Sequence, residues 1–158
     1  MEIYTIGVYG STEQQFFNKL AENTIDTFCD IRQRRGLRGS EYAFVNSQRL
    51  QSKLAEMEIQ YDYLKDLAPT KEIRDKQKEA DKLAGIQKKD RTRLGDVFIN
   101  GYKKHIVDYD FDTLVEKLKG MGADKVVFFC VETSPYACHR SIVAEKLHKQ
   151  FGYPVKHL

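Results

Sequence analysis

Residues 125–147 read KVVFFCVETSPYACHRSIVAEKL, and this stretch decides the fold. Residues 126–131 are a short apolar run rich in β-branched and aromatic side chains, which is typical of a strand buried on both faces. Further on, Ile142, Val143 and Leu147 are spaced like the buried face of a helix. A buried strand that leads directly into a helix is typical of an α/β domain.

A polar joint connects this strand to this helix. Residues 132–140 (ETSPYACHR) bring a carboxylate, a thiol, an imidazole and a guanidinium group together. In open α/β sheets, ligands bind at the carboxyl ends of the strands. The joint is therefore the first candidate for a functional site.

Composition and length indicate one soluble globular domain. The chain has 158 residues, of which 41% are hydrophobic and 31% charged, and its net charge of +3 is too small to imply a polyanionic partner. Three cysteines fit a reduced intracellular protein better than a disulfide framework. The N-terminus lacks the pattern of a secretion signal and no apolar run is long enough to span a membrane, so we expect a cytoplasmic protein without a membrane partner.

The remaining pattern extends the α/β reading to the whole chain. A strand, a helix and a strand follow one another in the first part of the sequence, which implies parallel pairing with a right-handed crossover. Strands are predicted at residues 3–6, 25–31, 59–64, 126–131 and 155–158. We predict a single domain over residues 1–158, a three-layer α/β/α domain with a mainly parallel sheet of four to five strands.

Two helix starts are predicted from capping residues. Ser11 and Gln14 have the spacing of a capping box. Ser134 followed by Pro135 has the pattern of an N-cap with proline at the first helical position. If the last helix starts there, Cys138 lies one turn inside it.

A charged segment at about residues 69–93 differs from the rest of the chain. From residue 71 to residue 91, 13 of 21 side chains are charged and few are large and apolar. We predict a solvated helical insert without a core of its own, which projects from the domain or folds over the site as a lid.

Several short motifs together resemble a known family. They are IYTIG at 3–7, CDIR at 29–32, LKDLAP at 64–69, the pair Gly101-Tyr102, FFCVETSPYACHRSIVAEKL at 128–147 and VKHL at 155–158. The sequence is similar to the domain-of-unknown-function family 488 over nearly its whole length. The resemblance implies an α/β fold with a site but no established activity. Family members usually carry His-Ser after the first strand's glycine, whereas Val8-Tyr9 stands here, so a role for that histidine does not carry over.

Cys138 and His139 are candidate catalytic residues. A thiol near a helix N-terminus and beside basic groups is readily ionised, and its thiolate is a nucleophile for acyl, phosphoryl or sulfur transfer. The alternative is a small buried residue that packs the helix on the sheet. His139 is either a general acid or base or a helix-terminal histidine bonded to a carbonyl group.

Asp30 and Glu132 are the two candidate catalytic carboxylates, because each lies at or just beyond the end of a strand. In one cleft they would take different pKa values and act as acid and base. The alternative is a charge-satisfying network with the neighbouring arginines, in which Arg140 forms an ion pair with Glu132 or Asp30. Otherwise Arg140 clamps a phosphate or carboxylate.

A basic loop at residues 33–40 suggests an anionic partner. No acidic residue interrupts it, and its glycines give it freedom to wrap a phosphate. The candidate ligand-binding residues are Gly7, Arg32, Arg34, Arg35 and Arg140. The leading hypothesis is a hydrolase or transferase site for an anionic small molecule, such as a nucleotide. The alternative is a non-catalytic DNA- or RNA-binding module.

No metal or cofactor is expected from the motifs. The sequence lacks Cys-x-x-Cys, His-x-x-x-His, GxGxxG and Walker patterns. The oligomeric state is left open, a homodimer included.

Overall fold

The structure, a computed structural model, describes residues 1–86 and 91–158. Its sheet has five parallel strands in the order β3-β2-β4-β1-β5. The strands are β1 (Glu2–Ile6), β2 (Thr27–Asp30), β3 (Gln60–Tyr63), β4 (Lys125–Phe129) and β5 (Val155–His157). The described helices are α1 (Glu13–Glu22), α2 (Ser47–Glu56), α3 (Lys71–Leu83), α4 (Asp96–His105), α5 (Phe111–Gly120) and α6 (Arg140–Phe151). The predicted three-layer α/β/α fold is confirmed.

The central strand β4 separates two apolar layers. Alternate side chains of a strand point to opposite faces. Val126 and Phe128 therefore join the core beneath α4, α5 and α6, whereas Val127 and Phe129 join the core beneath α1 and α2. All four are fully buried. Burial on both faces explains why this strand has a continuous apolar run rather than an alternating pattern.

Three neighbouring strands end at the same level of the sheet. In the register of the strands, Ile6 of β1 and Asp30 of β2 both pair with Phe129 of β4. Gly7, Ile31 and Cys130, the residues that follow, consequently meet at one edge. This edge carries the candidate site.

The capping prediction for α1 is wrong by one residue. The capping box is formed by Thr12 and Gln15, not by Ser11 and Gln14. The Gln15 amide donates to Thr12 Oγ1 at 3.2 Å, and the Thr12 amide donates to Gln15 Oε1 at 2.9 Å. Both pairs fit the sequence pattern, and the choice between them follows from the register that buries Phe16.

The prediction that α6 starts at Ser134-Pro135 is also wrong. Pro135–Ala137 forms only a short 3₁₀ turn, after which Cys138 is extended with φ −141° and ψ 148°. The Ser134 hydroxyl donates to the carbonyl of Thr92 at 2.9 Å instead of capping the helix. Because α6 begins at Arg140, Cys138 precedes the helix rather than lying inside it.

The charged insert begins as a packed helix. Thr70 caps α3, where its Oγ1 accepts from the Ile73 amide at 3.3 Å. Ile73, Gln77 and Asp81 are buried on the side of α3 that packs against α4. The part of the predicted insert at residues 87–90 lies outside the described residues. Among the described helices, none combines the length and apolar character that crossing a bilayer requires.

Candidate functional site

The joint between β4 and α6 is shaped by the Arg140 side chain. Its guanidinium group donates to the carbonyl of Glu132 at 2.6 Å and to that of Thr133 at 3.0 Å. Arg140 is 1% exposed. These two hydrogen bonds therefore hold the main chain of the joint against the start of α6. Neither predicted ion pair of Arg140, with the side chain of Glu132 or with Asp30, occurs among the described residues.

Gly7 makes room for this arrangement. A Cβ atom at Gly7 would overlap the carbonyl oxygen of Glu132 and lie 3.1 Å from Nη2 of Arg140. Only a residue without a side chain lets the end of β1 and the joint approach so closely. Gly7 does not line the cleft described below, and its role in ligand binding stays a prediction.

Cys138 and His139 form a pair inside the joint. The Sγ atom of Cys138 lies 3.6 Å from Nδ1 of His139. The other ring nitrogen, Nε2, lies 3.0 Å from the carbonyl oxygen of Ile31. Because a carbonyl can only accept, Nε2 carries a hydrogen and Nδ1 is the nitrogen that exchanges a proton with the thiol. The edge of the ring packs against Tyr102, with 5.2 Å between ring centroids.

The surroundings of Cys138 favour its thiolate. Burial opposes ionisation, but the hydrogen bond from the Cys130 thiol and the neighbouring His139 and Arg140 outweigh it, so the pKa of Cys138 lies well below its usual value. The same hydrogen bond, together with burial, raises the pKa of Cys130 well above its usual value. The N-terminus of α6 adds a favourable dipole, since Cys138 lies just before it. Thus Cys138 is the more readily ionised thiol of the two.

Cys130, Cys138 and His139 form a compact cluster. Two sulfur atoms and a ring nitrogen lie within 4.8 Å of one another. A structural zinc site is almost always four-coordinate. Among residues 1–86 and 91–158, no fourth cysteine, histidine or carboxylate joins the cluster. The three ligand atoms from the described residues therefore do not make up a closed four-coordinate site.

Asp30 and Arg32 are bound to each other behind the site. Asp30 is fully buried and accepts from Nε of Arg32 at 2.9 Å, from Nη2 of Arg32 at 2.7 Å and from the Tyr61 hydroxyl at 2.9 Å. The guanidinium also stacks on Phe129, with 4.5 Å between Cζ and the ring centroid. These contacts favour a structural carboxylate at Asp30, whose catalytic role stays a prediction.

A cleft of about 310 Å³ opens beside the cysteine–histidine pair. Among the described residues, its lining includes both cysteines of the cluster, apolar side chains, four arginines and one carboxylate. The lining residues used below are Tyr9, Arg32, Arg34, Leu37, Arg74, Arg91, Leu94, Phe98, Cys130, Glu132, Cys138 and His139. This balance of charge suits an anionic ligand with an apolar part.

The predicted basic loop is divided between two surroundings. Arg32 and Arg34 line the cleft. Arg35 instead stacks on Tyr63, with 4.2 Å between Cζ and the ring centroid. Arg49, farther along, pairs with Glu13 at 2.7 Å. Arg35 and Arg49 therefore each have a partner outside the cleft.

Comparison with known proteins supports the family suggested by the motifs. The family model for the domain of unknown function DUF488 matches residues 12–147, most of the chain. The chain belongs to the DUF488 family. No curated protein and no solved structure matched it. The family assignment thus identifies the domain and leaves its activity to be argued from the site.

Two cleft arginines of this DUF488 chain were not identified from sequence. Arg74 lies on α3 and Arg91 lies near the end of the predicted insert. Arg91 donates to Asp81 at 2.8 Å and lies 3.6 Å from Oε1 of Glu132. The many charged residues of the insert were the only sequence feature that pointed to these arginines. Which of them reach the site depends on how α3 packs on α4, and the sequence does not show this.

Proposed function

We propose that this protein is a cysteine-dependent enzyme that binds an anionic small molecule in the cleft and attacks it with the thiolate of Cys138. One observation carries the proposal, namely that Nε2 of His139 is fixed on the Ile31 carbonyl while Nδ1 faces the Cys138 sulfur. A base held in orientation by a third group, next to a nucleophile, is the general arrangement of nucleophilic catalysis. The class is a transferase or hydrolase that works through a covalent thiol adduct.

The arginines of the cleft favour a negatively charged substrate. Arg34 is an exposed lining residue, Arg74 reaches the cleft from α3, and Arg32 and Arg91 lie deeper. Guanidinium groups bind carboxylates and phosphates through paired hydrogen bonds. The volume of the cleft, about 310 Å³, suits a molecule the size of a metabolite or nucleotide. Phe98 and Leu37 would contact its apolar part.

Glu132 is the remaining candidate for proton transfer. It lines the cleft and is 6% exposed, in contrast to Asp30, which lies behind the lining. Its Oε1 lies 3.6 Å from Nη2 of Arg91, and a carboxylate at this place can accept a proton or a hydroxyl hydrogen bond from the substrate. Binding of nucleic acid is less favoured than binding of a small anion, because Arg35 and Arg49 are already engaged.

The proposal is tested by comparing two alkylating reagents that differ in charge. Iodoacetate is an anion and iodoacetamide is neutral. We expect the ratio of their rates at Cys138 to exceed the ratio at free cysteine by about 10-fold, which corresponds to about 1.4 kcal/mol of preference for the anion. Mass spectrometry of the tryptic peptide 126–140 measures both rates.

Arg34→Ser should lower this ratio toward that of free cysteine. Arg38→Ser is the matched control, because Arg38 belongs to the same loop and is exposed but does not line the cleft. A Cys138 that reacts no faster than free cysteine below pH 7 with either reagent would overturn the nucleophile. A normal charge ratio would overturn the anionic substrate.

A further inference from the structure

A second thiol lies where it can react with Cys138. Cys130 is the first residue after β4, lines the cleft, and places its sulfur within 4.8 Å of both the Cys138 sulfur and the His139 ring nitrogen. The neighbouring Cys138 sulfur and burial raise the pKa of Cys130 well above its usual value. The nucleophilic role proposed above uses only one of the two sulfurs, so the second needs its own explanation.

We propose that Cys130 is the resolving thiol of Cys138 and that the cleft reduces small disulfides that carry carboxylate or phosphate groups. This inference rests on the proposed function, since Cys138 must first attack. It goes beyond that function in reaction class, because reduction of a disulfide oxidises the two cysteines and is neither a transfer nor a hydrolysis, and it names the substrate class. When the adduct is a mixed disulfide, a neighbouring thiol can displace it by attacking the adduct sulfur, which joins the two cysteines in one disulfide.

The positions of Cys130 and Cys138 allow a disulfide bond to form between them. A disulfide has a sulfur–sulfur distance of about 2.05 Å, so the pair has to approach by less than 3 Å from its present separation of at most 4.8 Å. Cys138 lies in extended chain between a 3₁₀ turn and α6, and Cys130 lies just beyond the end of β4. Neither cysteine lies within the bounds of a strand or helix, and rotation of the two side chains does not break the main-chain hydrogen bond from the Cys130 amide to the Ile6 carbonyl, at 3.3 Å.

The reaction balances with the groups present. The Cys138 thiolate attacks one substrate sulfur, a mixed disulfide forms, the substrate sulfur–sulfur bond breaks, and the released thiolate takes the proton held by His139. The neutral imidazole then accepts the proton of Cys130. The Cys130 sulfur attacks the Cys138 sulfur, which breaks the mixed disulfide, and the second substrate thiolate leaves with the proton from His139. The substrate gains two electrons and two protons from the two cysteines, and an external dithiol reductant restores them.

Cys29 provides an internal contrast. It is fully buried in β2, it does not line the cleft, and burial raises the pKa of its thiol far above the usual value. It therefore behaves as an inert core residue. A Cys29→Ala background leaves the dithiol intact and removes the third sulfur from the measurement.

The test uses 5,5′-dithiobis(2-nitrobenzoate), an aromatic disulfide that carries carboxylates. Reduced full-length protein is treated with the reagent, and the tryptic peptide 126–140, which contains both cleft cysteines, is weighed. We expect release of both halves of the reagent and a peptide lighter by two hydrogen atoms. In Cys130→Ser we expect release of one half only, and the mixed disulfide should persist on Cys138 in nearly all chains.

Each outcome decides between the two proposals. A wild-type peptide that keeps a stable mixed disulfide on Cys138, with Cys130 reduced, overturns the resolving role and leaves the nucleophile standing. No reaction at Cys138 overturns both. Because the wild-type peptide alone distinguishes these outcomes, the inference remains testable if Cys130→Ser fails to fold.

Discussion

Replacing His139 by glutamine separates the two jobs of this side chain. A glutamine amide can still donate to the Ile31 carbonyl, which Nε2 of His139 contacts at 3.0 Å. It cannot take or carry a proton at the position of Nδ1, 3.6 Å from the Cys138 sulfur. The variant therefore keeps the anchor of the joint and removes the ionisable partner of the thiol.

The expected effect has a definite sign. Because a neighbouring positive charge lowers the pKa of a thiol, its loss raises the pKa of Cys138 by about 1–3 units. The midpoint of the pH–alkylation profile moves up by the same amount. Above the new midpoint the rate does not fall, because a more basic thiolate is intrinsically more nucleophilic, by about 3-fold per unit of pKa.

Iodoacetamide alkylation from pH 4 to pH 10, followed on peptide 126–140, measures this profile. His105→Gln is the control, since a ring nitrogen of His105 also lies 3.2 Å from a main-chain carbonyl, that of Ala68, but outside the cleft. An unchanged midpoint would refute the cysteine–histidine pair. A rate that drops equally at every pH would point to a distorted joint rather than to a lost proton acceptor.

Two further predictions concern the frame of the site, and urea unfolding measures both. Gly7→Ala should lower the free energy of unfolding by about 1–3 kcal/mol, because its Cβ overlaps the Glu132 carbonyl oxygen. Gly120→Ala in α5, with no atom within 4 Å, should not lower it and should raise it by up to about 1 kcal/mol, because alanine is the better helix former. An equal loss in the two variants would contradict the overlap at Gly7. Asp30→Asn should cost about 3–5 kcal/mol, because Arg32 is left buried without its counter-charge; a loss below about 1 kcal/mol would show that the pair is not essential to the fold.

The fold and the place of the site were readable from the chain because they depend on local order. The apolar run ending at Phe129 indicates a buried strand, and the polar residues after it lie at the carboxyl end of that strand. Such an end is where a parallel sheet binds its ligands. Neither pattern depends on partners distant in sequence, and together they identify Cys138 and His139 as candidate residues.

The roles within the site depend on distant partners, which the sequence does not reveal. Asp30 was expected to share a cleft with Glu132, but Tyr61 of the neighbouring strand and Arg32 occupy its oxygens. The start of α6 was misplaced because Ser134-Pro135 fits a helix cap as well as it fits a 3₁₀ turn. The proposed role of Cys130 could not be predicted from the sequence, because it depends on how the joint between β4 and α6 brings Cys138 back to Cys130.

The arginines near the site divide into a buried kind and an exposed kind, and this division explains how the site can be both charged and stable. Arg140 donates from Nη1 and Nη2 to two carbonyls of the joint, and Arg32 donates from Nε and Nη2 to Asp30 and from Nη2 to the carbonyl of Val45, while Nε of Arg140 and Nη1 of Arg32 have no hydrogen-bond partner among the described residues. Such charges are compensated within the fold and hold its main chain in place. Arg34 is exposed at the cleft, so its charge is available to a ligand without a cost in folding. Arginines of the first kind hold the main chain around the Cys138 thiolate, and Arg34, of the second kind, attracts anions to it. The positive charge of Arg34 offsets the repulsion between the thiolate and an anionic ligand, so the site would bind anions selectively.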